Sequence, residues 1–132
     1  MTGDPASGGP SATVGEAVIV ADPRRLMLDE SRQEIYSATI GVRLLYQEPS
    51  SGAEHYLIRY PPGMTAQRHQ HSAAHTIVVL DGQLLANGQT LGPGGYCHFP
   101  AHTTMHHAPA PGAGCLFVTI FHGPFNVHPL GD

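Results

Sequence analysis

The sequence has no lysine and no tryptophan, and all six of its basic residues are arginine. Without lysine there is no Schiff-base nucleophile and no lysine-cradled phosphate site. Charge is sparse as well: ten acidic residues face six arginines, 12% of the 132 residues, for a formal net charge of −4 with histidine neutral. So little positive charge gives nucleic acid or an anionic membrane surface no electrostatic purchase. The longest apolar runs, residues 17–21 and 115–121, fall far short of the roughly 20 residues a spanning helix needs. Cysteine is scarce too. Cys97 and Cys115 make no disulfide framework, and their spacing fits neither a zinc knuckle nor a redox pair, so they read as reduced thiols of a cytoplasmic protein. Residues 1–13 lack the basic start and apolar middle of a signal peptide and read as a flexible tail. That leaves residues 14–132 as a single domain, near the commonest domain size.

What the chain does have is glycine (16), proline (12) and histidine (10). The glycines and prolines are spread along the chain, as many short strands joined by tight turns require. Residues 35–47 are rich in β-branched and aromatic side chains, and 54–60, 76–80, 96–99 and 115–121 read as further strands. Asp81-Gly82 and Asn87-Gly88 are hairpin signals on either side of 83–86. A short helix is allowed only near residues 22–31. The expected class is all-β, a sandwich or small barrel.

Seven of the ten histidines lie between positions 69 and 107. On a strand, residues i and i+2 share a face, so the imidazoles of His69 and His71 converge. His75 follows across the bend at residues 72–74, just before a β run, where it can return over the same pocket. A fourth imidazole, from His102, His106 or His107, arrives after the hairpin. Neutral imidazole is the commonest nitrogen ligand for Zn, Fe, Cu and Ni, and three or four facing one another have few other uses.

The spacing Gly63-x5-His69-x-His71-x3-His75-x6-Gly82 resembles the first motif of the cupin superfamily, with His75 where that family usually has Glu. The second motif, Gly-x5-Pro-x-Gly-x2-His, is met by Gly94 and Pro100, but His102 stands where the next glycine belongs. Strict counting then puts Met105 at the ligand position; one extra loop residue puts His106 there, with His107 and His102 as fallbacks. The resemblance covers residues 54–121. It implies a single double-stranded β-helix, a jelly-roll barrel, with a metal held inside by His69, His71, His75 and His106. It also implies a homodimer. An imidazole in place of the carboxylate makes the site one negative charge poorer, which suits a borderline divalent ion such as Zn, Ni, Cu or Fe and suits Mn or Mg less; the resemblance implies Zn, with Fe or Ni as alternatives.

Tyr56, Tyr60, Met64, Tyr96, His98, Phe99, Met105 and Phe121 are candidate pocket walls for a flat, oxygen-rich ligand. His102 and His107 are candidate acid/base groups, and Arg59, on the strand before the first motif, is a candidate partner for a substrate oxygen if it turns inward. The chain is similar to the small single-domain cupins that cyclise bacterial aromatic polyketides, of the resistomycin-cyclase type. That likeness implies an aldol closure and dehydration, with an aromatic or polyketide small molecule as substrate and other polyketide synthase or cyclase proteins as partners. Two other readings stand beside it: an iron or nickel dioxygenase, and a metal-dependent small-ligand binding protein.

Overall fold

Strand alternation is plain in the segment Glu54–Tyr60, where Glu54, Tyr56, Ile58 and Tyr60 are buried on one face while His55 and Arg59 are not. The computed structural model describes residues 13–14, 18–124 and 127–129. Its strands are β1 (Thr13–Val14), β2 (Asp29–Ser31), β3 (Ile40–Gln47), β4 (Glu54–Tyr60), β5 (His69–His71) and β6 (His75–Gly82). They continue with β7 (Leu84–Ala86), β8 (Gln89–Leu91), β9 (Tyr96–Phe99), β10 (His107–Pro109), β11 (Cys115–Phe121) and β12 (Val127–Pro129). The tail expected over residues 1–13 lies outside the described residues except for Thr13, which pairs with Tyr46. In the 22–31 stretch the helix is one 3-10 turn, Pro23–Arg25, capped by the Asp22 carboxylate on the Arg24 amide. Gly41 lies against Leu28 of this N-terminal stretch, which Arg24 ties to Asp81 and to the Leu80 carbonyl.

Among the described residues the strands form a seven-stranded sheet, β1-β3-β4-β11-β6-β9 with β2 beside β3. Smaller sheets are β10-β7-β8 and β12-β5. The core gathers the inner face of the large sheet (Val42, Leu44, Tyr56, Ile58, Tyr60, Ile77, Val79, Phe117, Phe121) with Leu84, Ala86 and Met105 from the facing side. This is an all-β jelly roll. Among the described residues no helix is long and apolar enough to cross a membrane.

Two turns behave differently from each other. Asn87 (φ 45°) and Gly88 (φ 86°) both take positive φ and close a two-residue hairpin between β7 and β8, as Asn-Gly should. Asp81-Gly82 does not close a hairpin: β6 pairs with β11 and β9, and the chain passes from Gly82 into the other sheet. Gly82 has φ 73°, and a Cβ there would lie 2.0 Å from the Gly114 carbonyl oxygen. Its glycine therefore serves a close backbone approach at a sheet corner rather than a tight turn.

Candidate metal centre

The alternation of β5 turns His69 and His71 to the inside, and both are buried. The first residue of β6 brings His75 in beside them at 1% exposure. The first residue of β10 brings His107, held next to β5 because the main chains of Met105 and His69 exchange two hydrogen bonds of 2.9 and 3.0 Å. His69, His71 and His107 each offer a ring nitrogen, and these lie within 4.8 Å of one another. Three buried histidines so placed could hold a divalent ion. The His75 ring sits 4.6 Å from that of His71 and 5.8 Å from that of His107, stacked between Phe99 and Phe121.

The tautomers follow from the partners. Nδ1 of His69 lies 2.8 Å from the Gln67 carbonyl, which can only accept, so Nδ1–H donates and Nε2 keeps its lone pair. Nε2 of His107 lies 3.2 Å from that lone pair. In the metal-free molecule His107 therefore donates from Nε2 and accepts at Nδ1 from the Tyr60 hydroxyl, 2.7 Å away. Tyr60 in turn accepts from the Tyr36 hydroxyl at 2.7 Å. Burial pushes both phenols up, Tyr36 to about 12, so the pair stays neutral. Burial holds His69 and His107 below the ordinary imidazole range and lowers His75 to about 3, so the rings stay uncharged, as ligands must be. A cation taking both Nε2 lone pairs would send the His107 proton to Nδ1 and make it donate to Tyr60. Tyr60→Phe is therefore expected to weaken metal binding about 10–100-fold, the usual effect of losing such an outer hydrogen bond, as read by competition with a chelator dye.

A metal fits these residues on a second count. His75 is buried to 1%, and neither of its ring nitrogens has a hydrogen-bond partner among the described residues. An orphaned buried imidazole carries a desolvation cost that a coordinated ion would remove.

His106, expected as the fourth ligand, does not join the group. Met105 and His107 point inward, at 1% and 4% exposure, and His106 falls on the opposite side with its amide on the Asn87 side chain. The reason lies in the loop. His102 has φ 61°, so it adopts the left-handed conformation at the position where the motif has glycine. The register is thus intact to residue 102, and the loop then carries two extra residues before the inward imidazole, not one. His102 itself is exposed, and its amide donates to the His71 carbonyl. Arg59, a candidate only if it turned inward, is exposed on the outer face and lines a groove with Leu26, Leu28, Glu30 and Gly41, because Ile58 and Tyr60 take the inner positions. His55, His98 and His122 lie outside the group; Thr76 links the last two through its hydroxyl. Tyr96 is 62% exposed, whereas Tyr60, Met64, Phe99, Met105 and Phe121 are buried, and Phe99 and Phe121 form the walls around His75. Cys97 and Cys115 are free thiols.

Residues 27–126 match the family described as the ChrR cupin-like domain. Among curated proteins none matches the chain in sequence. Several solved structures share the fold. The polyketide cyclase RemF from Streptomyces resistomycificus superposes with a TM-score of 0.70 at 16% identity, covering 88% of this chain and 87% of its own. An acetylacetone dioxygenase from Acinetobacter johnsonii gives 0.69 at 17% identity, covering 94% and 83%. A cupin-like protein from Thermotoga maritima gives 0.68 at 16%, covering 80% and 89%.

Proposed function

The chain belongs to the ChrR cupin-like family, and on that premise we propose that it is a metal-dependent enzyme that cyclises and dehydrates an aromatic polyketide chain. The observation that carries the metal reading is His75. Its two buried nitrogens, without a hydrogen-bond partner among the described residues, stand beside the convergent Nε2 atoms of His69 and His107. In this reading His69, His71, His75 and His107 hold the ion, and Zn suits a set of four neutral nitrogens. A bound divalent ion would supply Lewis acidity toward a carbonyl oxygen. The chain's own part is to hold one register of a flexible substrate and to exclude water. Phe99 and Phe121 wall the histidines, and Tyr36 and Tyr60 fix the His107 ring. His102, tied to the His71 carbonyl through its amide, is the imidazole at hand for moving protons to and from the substrate. A homodimer belongs to the same reading.

A second reading is favoured by the three-histidine group itself. With His75 outside the set of mutually close nitrogens, a three-nitrogen face is left, and such a face suits Fe(II) and oxygen chemistry on a β-diketone. The test is metal analysis of the purified protein followed by two assays. Turnover of a poly-β-ketone mimic by the zinc form, without oxygen uptake, supports cyclisation. Oxygen consumption that requires Fe(II) and a β-diketone overturns it. His75→Glu is expected to keep one metal per chain but shift preference toward Mn, since it restores an oxygen ligand; competition between Zn and Mn measures the shift.

A further inference from the structure

Four neutral imidazoles leave a bound divalent ion with its full charge in a pocket whose walls are buried, and burying uncompensated charge is costly. Among the described residues the buried acid is Glu54, at 6% exposure. It stands on the inner face of the large sheet, in one cross-strand row: Gln47 pairs with Glu54, Glu54 with Phe121, Phe121 with His75 and His75 with Phe99. The carboxylate thus shares a row with His75, with only Phe121 between them. The Phe121 ring lies 5.0 Å from His75 and 5.2 Å from His71, and meets Tyr56 edge-on at 6.1 Å.

The partners of Glu54 are neutral. The Tyr56 hydroxyl donates to Oε1 at 3.0 Å and the Gln47 amide to Oε2 at 3.1 Å. Both oxygens accept a hydrogen bond. The ion pairs Arg24–Asp81 and Arg25–Asp22 lie elsewhere on the surface. A buried charge held only by neutral donors is unfavourable unless a cation lies within reach of its field.

We propose that Glu54 is the counter-charge of the histidine centre, supplying through space the negative charge that the ligand set lacks at position 75. The proposal rests on the metal reading above. Two strand spacings put Glu54 roughly 10 Å from His75, a range at which a carboxylate still attracts a divalent ion through apolar packing. Tyr56 and Gln47 are positioning residues that hold the carboxylate in its row.

The test is a pair of measurements on Glu54→Gln, a near-isosteric change. Without metal, removing an uncompensated buried charge should raise the melting temperature. With Zn or Ni titrated against a chelator, affinity should fall at least about tenfold, by similar factors for both ions, because a field does not distinguish ligand softness. Glu54→Asp keeps the charge and should retain affinity within a few-fold. A merely structural role lowers the metal-free melting temperature and leaves affinity unchanged, and that result overturns the proposal, as does failure of Glu54→Gln to fold. Affinity lost for one ion only makes Glu54 a direct ligand and also overturns it. If the unaltered protein binds no stoichiometric metal, the metal reading falls and this proposal with it. Binding by the unaltered protein that is undiminished in Glu54→Gln removes this proposal alone.

Discussion

His107→Ala is expected to abolish stoichiometric metal binding, whereas His106→Ala leaves it intact. The two residues are adjacent, equally capable ligands in chemistry, and separated only by the direction their side chains take. Met105 and His107 turn inward beside His69, and His106 is anchored through its amide to Asn87 on the far side of the chain. Removing His107 takes away one of three ring nitrogens lying within 4.8 Å of one another and strands the Tyr60 hydroxyl that backs it. His69→Ala and His71→Ala should match His107→Ala, each reducing occupancy from one ion per chain to background in elemental analysis after gel filtration. Full occupancy in His107→Ala with loss in His106→Ala would move the centre to the other face of this segment. The contrast is sharp because a mutation that only damaged folding would not separate neighbours so cleanly; circular dichroism of both variants supplies that control.

The first motif was legible because every part of it is a short-range rule. Alternation puts His69 and His71 on one face, and the bend at residues 72–74 fixes where His75 returns. Strands 54–60, 96–99 and 115–121 were readable from composition for the same reason, and β4, β9 and β11 have those bounds. The second motif was not, because its register depends on a loop in which a histidine takes a glycine's conformation and two residues are inserted afterwards. No local pattern reveals how many residues a loop absorbs. The inward direction that a role for Arg59 requires is excluded by parity: once Tyr60 is assigned to the core, its neighbour must face outward. Glu54 as a site residue, and the role of Tyr60, a candidate pocket wall, as the support of His107, were not legible for a related reason. Each sits on the inner face at a strand end, and what makes them important is a partner two strands or some fifty residues away, which composition does not carry. The Asp81-Gly82 signal misled because glycine serves close backbone approach as readily as a tight turn.

The metal-free protein should be markedly less stable at pH 5 than at pH 7.5. The sign follows from His75. In the fold, burial lowers its pKa to about 3, with the neighbouring histidines pushing the same way, whereas in the unfolded chain it sits near the ordinary 6.5. Between those values the unfolded chain binds a proton that the folded one refuses, so stability present above about 6.5 is lost as the pH falls toward 3. Each pH unit in that window costs about 1.4 kcal/mol per histidine kept neutral, so His75 alone removes about 2 kcal/mol by pH 5. His107 and His69, lowered chiefly by burial, add to the loss in the same direction. Against a total stability of roughly 5–15 kcal/mol this is a large share, and the melting temperature of chelator-treated protein should drop by at least about 8 °C. A melting temperature that stays level between the two pH values would mean that these imidazoles reach water or carry charge in the fold. His75→Phe isolates the cause, because a phenyl ring can take the stacked place between Phe99 and Phe121 without titrating. In that variant the acid sensitivity of the metal-free protein should shrink by the His75 share, while the part due to His107 and His69 persists. In the metal-loaded protein protons must first displace the ion, so stability should hold to lower pH and then fall steeply together with metal release, which a dye reporting free metal follows in the same melt.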